Sequence, residues 1–412
     1  VETLRYFVWL SLSCTPNSKT FIKLFEKYGS VEDIYALTED ELRHVLGVEN
    51  HDSVKLADKD LSAADDVIAF CQAKNVGILT FTDPRFPVAL KNIPSPPVLL
   101  YFRGVLPDFR QMFPVAVVGT RHMTDYGKKS AFYISLDLAK AGTTLVSGLA
   151  LGIDGVALAA AAALSKPTVS FLGSGIDICY PAEHQKLAKE LVKTGCIMTE
   201  YAPGTPPLSY HFPARNRLIS GLSSSVLVIE GKEKSGSLIT ARHAFSQGKP
   251  VYALPGNIDR EMSQVTNLLL KNGAKALMSA DDIIRDFEFV YTGIVNPFAL
   301  NDAVSVSMEK TLSSLGVCDS RHRIFDRVKP LFKKKSEKPK EEKNQTEIAD
   351  LESLGLTPQA LSVYRKLPST GDMAIEDLAD DETGIRDVMK ALLQLEIKKL
   401  ITMLPGERVS RS

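Results

Sequence analysis

Between residues 113 and 290, short apolar runs alternate with longer stretches of helical character. The runs at 115–118, 144–146, 167–171, 196–199, 226–229 and 250–253 have strand length and β-branched content. The stretches at 128–141, 155–165, 181–194, 213–222 and 238–247 have helical length. This alternation predicts an open, mostly parallel α/β sheet whose ligand loops lie at the carboxyl ends of the strands. The run VALAAAAAL predicts a buried helix close against the sheet, because alanine favours helix and permits close approach.

The flanks carry different patterns. Residues 1–75 predict short helices with turns at Gly29-Ser30 and Gly47, and Phe21, Leu24, Phe25 and Tyr28 recur at helical spacing. Thr38 is the expected N-cap of one helix, with Glu41 at its third position. Such a unit is either a packing module or a nucleic-acid-binding helix–hairpin–helix; composition does not separate the two. Prolines at 84, 87, 94, 96 and 97 forbid a long helix over 78–104, leaving short extended pieces such as 98–102 that join a sheet edge. Residues 331–345 are charged and nearly free of apolar side chains, as a linker is. Beyond them the pattern reads helix (359–366), short helix (AIEDLADD), third helix (384–395), strand, turn at Pro405-Gly406 and return strand, the order of a winged helix. The third helix sets Arg386 and Lys390 against Asp387, so partner docking competes with DNA binding there.

Composition narrows the class. A chain of 412 residues exceeds one ordinary core, and 44% apolar with 24% charged content describes a globular protein. Lys+Arg and Asp+Glu both number 49, which argues against a uniformly basic DNA-binding chain but leaves room for a local pocket. Residues 111–286 hold 18 basic against 14 acidic side chains. The five cysteines are scattered without C-x-x-C spacing, so neither a disulfide framework nor zinc is expected, and a reducing, cytoplasmic setting is. The sequence opens at Val1, so the natural start is expected upstream; residues 1–14 read as a helix and not a signal peptide. No apolar run reaches membrane-spanning length.

Candidate chemistry gathers in the loops. VAVVGTRHMTDYG begins like a nucleotide-binding turn, but the next glycine after Gly119 is Gly127, so the dinucleotide spacing fails, and no G-K-[ST] closes a triphosphate loop. A strand ending at a glycine before a helix still suits an anion, and Arg121 suits a phosphate or a carboxylate partner. Gly173 and Gly175 flank Ser174 in a second bare turn. The stretch YAPGTPPLSYHFPARNRLISGLS delivers Tyr210, His211 and Phe212, then Arg215, Asn216 and Arg217. Rings stack on bases, guanidiniums hold phosphates and an asparagine reads a base edge, which is what single-stranded nucleic acid requires. The alternative is a core phenylalanine with arginines paired to acids. Ser235, Gly236 and Ser237 precede another helix and make a capped N-terminus, with Glu230 placed to hold an arginine. Asn257 and Asn267 fall near the same edge. Asp154 and Asp177 could pair around a cation, though capping explains each more cheaply. The seven histidines show no metal-ligand spacing, and no loop offers a nucleophile–base–orienter set.

Seven ordered blocks, FTDPRFPVALKNIPSPPVLLYFRG, VAVVGTRHMTDYG, VSGLALGIDGVA, FLGSGIDICYP, FPARNRLISGLSSSVLVIE, SGSLITA and VYALPGN, resemble the bacterial DNA-processing protein A family, also called Smf. The resemblance implies an extended Rossmann-like domain (77–290) without cofactor or metal, and an N-terminal all-helical domain of SAM or helix–hairpin–helix type (1–76). It also implies a connector and linker (291–345) and a C-terminal winged helix (346–412). It implies a non-enzymatic homodimer, built through the Rossmann-like domain, that binds and protects incoming single-stranded DNA and helps load RecA during natural transformation. The competing class is a Rossmann-like nucleotide-processing enzyme. Carried over by position, the family's binding block falls on Gly119, Thr120 and Arg121, with Arg121 on backbone phosphate. Phe212, Arg215, Asn216 and Arg217 serve phosphate, pocket or loop architecture; Gly173, Ser174 and Gly175 line the site with amides; and Ser235, Gly236 and Ser237 close it. Two departures stand out: Leu158 replaces the family's usual histidine, and SQVTN before Asn267 lacks its usual glycine.

Overall fold

A computed structural model describes residues 2–47, 50–233, 235–302, 304–317, 357–367, 372–374, 378, 385–397, 400–404 and 408–411. The chain divides into two compact units, residues 1–330 and 331–412.

The first unit opens with six helices, α1 (Glu2–Ser13), α2 (Thr20–Tyr28), α3 (Val31–Ala36), α4 (Glu39–Leu46), α5 (His51–Ala57) and α6 (Ser62–Ala73). Thr38 and Glu41 form the expected capping box on α4. Asp52 is buried on α5 and accepts from Thr15, Ser18 and Thr20, which ties α5 to the turn between α1 and α2. Phe7, Trp9 and Leu24 belong to the same continuous core as the sheet residues that follow.

The sheet has nine strands: β1 (Gly77–Thr80), β2 (Leu99–Gly104), β3 (Phe113–Val118), β4 (Thr143–Ser147), β5 (Thr168–Phe171), β6 (Cys196–Thr199), β7 (Ser225–Val228), β8 (Val251–Ala253) and β9 (Lys275–Ala276). Their order is β1-β2-β6-β5-β4-β3-β7-β8-β9. The β1–β2 and β2–β6 pairs are antiparallel and all others are parallel. Between strands run α7 (Val88–Lys91), α8 (Asp125–Lys140), α9 (Ile153–Ala162), α10 (Gln185–Leu191), α11 (His211–Leu222), α12 (Gly236–Ser246) and α13 (Gln264–Lys271); α14 (Asp281–Phe287) and α15 (Met308–Leu315) follow. Every residue of β3, β4, β5, β6, β7 and β8 is buried, as expected for strands covered on both faces, and the buried set includes hydroxyl side chains such as Thr143, Ser147, Ser170 and Ser225 among the apolar ones. From β3 the chain winds one way to β4, β5 and β6, then crosses back to β7 on the other side of β3. Adjacent strands whose connections leave in opposite directions open a crevice at their carboxyl ends. Here that crevice lies between β3 and β7.

Several boundaries move for local reasons. β3 starts at Phe113, two residues before the expected run, because Pro114 needs no donor of its own there and its carbonyl accepts from Ser224 N–H at 2.8 Å. The expected helix over 181–194 divides into a 3-10 turn, Ala182–His184, and α10. α9 buries every residue from Ile153 to Ala161, as its alanine run requires. Leu158, at the position of the family's usual histidine, is fully buried in apolar core.

The second unit holds α16 (Pro358–Lys366), β10 (Asp372–Ala374), α17 (Ile385–Ile397), β11 (Ile401–Leu404) and β12 (Arg408–Arg411). The three strands pair antiparallel in the order β10-β12-β11. Val363, Leu392, Leu395, Ile401 and Val409 form a core of its own. The linker at 331–345, the turn at Pro405-Gly406 and most of AIEDLADD lie outside the described residues; Ala374, from that stretch, belongs to β10.

Leu158→Ala is expected to cost about 2–5 kcal/mol by leaving a cavity between α9 and its neighbours. Urea unfolding measures it; a midpoint equal to that of the unaltered protein would refute the placement.

Candidate functional site

At the carboxyl ends of β3 and β7 a cleft of about 430 Å³ opens. Gly119, Thr120 and Arg121, just beyond β3, form one wall, and Ser235, Gly236 and Ser237, at the start of α12, form another. Phe212, Arg215 and Asn216 descend from α11 between them. Nine of the positions expected from the sequence therefore meet in one place.

The walls are fixed by hydrogen bonds that spend most of their polar groups. Thr120 N–H donates to the Glu230 carbonyl at 2.9 Å, and its own carbonyl accepts from Ile153 N–H at 3.2 Å. Glu230, which the sequence set against an arginine, accepts from the Thr124 amide at 2.9 Å and the Thr124 hydroxyl at 2.5 Å, and so fixes the residue that caps α8. Ser235 caps α12 by accepting from Ser237 N–H. The Asn216 amide donates to the Gly236 carbonyl at 3.4 Å and joins α11 to α12. Asn267 brackets Gly256 with two hydrogen bonds and braces the loop after β8.

Arg121 is exposed, as His122 beside it is. Its guanidinium carbon stands 5.2 Å from the centroid of the half-buried Phe212 ring, and that of Arg215 stands 5.9 Å from the same ring. Two cations thus converge on one aromatic ring, an arrangement favoured by the ring's quadrupole. Arg215 itself is buried. It donates to the carbonyls of Gly148, at 2.8 Å, and Phe171, at the ends of β4 and β5. Gly148 N–H donates to Asp154 at 3.1 Å, and a Cβ at Gly148 would lie 2.6 Å from the Arg215 guanidinium and 2.7 Å from the Asp154 carboxylate. Burial pulls the Arg215 guanidinium down to about 10, against the opposing attraction of Asp154. Burial likewise raises the Asp154 carboxyl, against the attraction of Arg215 and Arg121. Asp177 is exposed and accepts from Gly204 N–H at 2.9 Å, so the two acids considered as a cation pair have different partners.

Four expected residues stand elsewhere. Arg217 is two positions from Arg215 on α11 and faces the opposite way. It makes a bidentate pair with Glu200 at 2.6 Å for both bonds and donates to the Ser95 carbonyl at 3.0 Å. Side-chain exposure of the pair is 4% and 7%, so it is an architectural contact. Gly173 stands against Phe212, and none of residues 173–175 lines the cleft. A Cβ at Gly173 would lie 2.9 Å from the Phe212 ring, Ser174 donates to the Ile178 carbonyl, and Gly175 N–H is taken by Thr205. Gly119 has a similar purpose, since a Cβ there would lie 2.6 Å from Ile153. Sequence reasoning passed over Lys232, exposed on the rim and ion-paired with Glu261. Its only signal was a lysine three residues before the Ser235 cap.

With this geometry in view, the similarities are specific. A family model described as DNA recombination-mediator protein A matches residues 77–288. The chain is 36% identical over 232 residues to the DNA processing protein DprA of Bacillus subtilis, covering 56% of this chain and 78% of that one. It is 34% identical over 344 residues to Protein Smf of a Synechocystis species, covering 82% and 81%. The X-ray structure of DNA processing protein A from Streptococcus pneumoniae matches with a TM-score of 0.61 at 32% identity, covering 69% of this chain and 98% of that one.

Removing one partner of a buried ion pair strands the other, so Arg217→Met is expected to destabilise the first unit by about 3–5 kcal/mol. Replacing Arg217 and Glu200 together by apolar residues should restore much of that loss. Urea unfolding of the single and double variants decides the matter; a single variant within about 1 kcal/mol of the parent would remove the architectural assignment.

Proposed function

Because this chain belongs to the DNA-processing, recombination-mediator protein A family, we propose that it binds single-stranded DNA in the cleft between β3 and β7 and acts without catalysis as a recombination mediator. The observation that carries the reading is the exposed Arg121 guanidinium facing Phe212 beside the capped start of α12. A guanidinium suits a backbone phosphate, an aromatic ring offers a stacking face, and the first turn of a helix adds amide donors. Lys232 exchanges its rim partner Glu261 for phosphate at little cost, because exposed pairs are weak. Buried Arg215 supports the ring from behind, and Arg217 and residues 173–175 act through architecture.

On the same reading the protein protects incoming strands and assists RecA loading during natural transformation, in the cytoplasm and without a cofactor. Residues 1–76, 77–290, 291–345 and 346–412 are then a SAM or helix–hairpin–helix domain, the Rossmann-like DNA-binding domain, the connector and a winged helix. The helix pair α16 and α17 with its small antiparallel sheet supports the last assignment. A homodimer through the Rossmann-like domain is supported by Ile258, Leu268 and Met278. These apolar side chains, in the loop after β8, on α13 and after β9, are 96%, 41% and 74% exposed.

Arg121→Ala is expected to weaken binding of oligo-dT and mixed-sequence strands alike, by about tenfold or more, and to lower the slope of log affinity against log salt by about one. Fluorescence anisotropy across a salt series reads both; unchanged affinity with an intact fold would sink the site, and tight binding of mononucleotides with turnover would favour the enzyme reading. For the dimer, Met278→Asp should shift sedimentation equilibrium towards the monomer, and an unshifted equilibrium would move the interface elsewhere.

A further inference from the structure

A second cleft, of about 720 Å³, opens at the opposite end of the strands. Met112 and Pro114 reach it from the start of β3, Leu222 and Ser224 from the approach to β7, and Lys249 from the approach to β8. β3 has six residues, so about 20 Å of strand separates it from the cleft around Arg121. Nothing in the preceding function uses it.

Its floor is apolar, and the two hydroxyls on that floor are spent on each other. The Tyr291 ring stacks on Phe113 with centroids 4.3 Å apart and planes at 21°, and the Tyr291 hydroxyl is hydrogen-bonded to Ser224. Met112 and Leu222 are buried beside them. Prolines 84, 87 and 107 on the outer wall bring no backbone N–H and hold their segments stiffly. Three cations border this surface. Arg85 and Arg110 are each held by an acid two residues earlier, Asp83 at 2.7 Å and Asp108 at 3.3 Å. Lys249 is different. Its backbone N–H bonds to the Ala244 carbonyl, but among the described residues the ammonium at the end of its half-buried side chain has no hydrogen-bond or ion-pair partner. Burial disfavours its charged form and holds it below the ordinary lysine value.

We propose that this amino-edge cleft binds a small amphiphilic anion, its apolar body on Met112, Leu222 and the Tyr291 ring and its anionic group on the Lys249 ammonium. The volume falls in the range of small-molecule sites, which are apolar with a few placed polar groups. A partly desolvated cation without a partner is costly, and an incoming anion offsets that cost where the dielectric is low. A nucleobase suits the floor poorly, because its polar edges would meet hydroxyls already engaged with each other. A carboxylate or sulfonate on an aromatic or aliphatic body suits both the floor and the lysine.

The test uses the full chain and two dyes, the aromatic sulfonate 8-anilinonaphthalene-1-sulfonate and its uncharged relative N-phenyl-1-naphthylamine. The sulfonate should bind saturably, one per chain, and be displaced by decanoate but not by oligo-dT. Lys249→Met keeps the apolar stem and removes the charge; it should weaken the sulfonate by about fivefold or more while leaving the neutral dye unchanged. Lys249→Arg should retain both. Absence of saturable sulfonate binding, equal sulfonate affinity in Lys249→Met and the parent, or loss of both dyes in Lys249→Arg as well would each overturn the proposal.

Discussion

Two buried guanidiniums on one helix hold the carboxyl ends of three strands. Arg215 reaches the carbonyls that follow β4 and end β5, and Arg217 grips Glu200 just beyond β6. α11 is therefore latched across the sheet on the side where the chain reverses direction. An isolated buried charge would be prohibitive, and each guanidinium is tolerated because carbonyls or a carboxylate occupy its donors. Moving either arginine would release the helix that carries Phe212 and, with it, one wall of the cleft.

The latch also explains why so few polar groups remain available at the site. Backbone and side chains around Gly119, Thr124 and Asn216 are committed to holding loops together. These contacts make the loops rigid, and the exposed Arg121 stands on a platform whose geometry is already set. A site on a rigid scaffold orders fewer groups on binding than a flexible loop would. The aromatic ring between the two arginines is part of that platform: Gly173 behind it leaves the space it fills, so the ring does not need a ligand to be positioned.

Much of this was legible in sequence, and the exceptions have physical causes. The fully buried strands announced themselves because both faces are covered, so β6 appears at its expected residues and β3, β4, β5, β7 and β8 within two residues. The Thr38–Glu41 capping box needed only local chemistry. Arg217 was less legible because the Pro-rich stretch before it disguised where α11 begins. Pro213 occupies the third helical position, where no intrahelical N–H is required, so the helix starts at His211, two residues before the expected start at the proline. Once helical, residues two apart point in opposed directions, and Arg215 and Arg217 part company. The contact of Gly173 with Phe212 joins residues far apart in the chain, and no local pattern could announce it. Leu158 was visible as a departure, but its burial in apolar core depends on how α9 lies against the sheet.

The exposed guanidinium of Arg121 stands on a chain whose 49 basic and 49 acidic residues cancel. A charge of that kind is felt only nearby, since counter-ions screen it within about 8 Å in physiological salt. A polyanion approaching from farther away meets a chain without net charge, so whatever draws it to the cleft must come from how charges are placed around the rim and not from their sum.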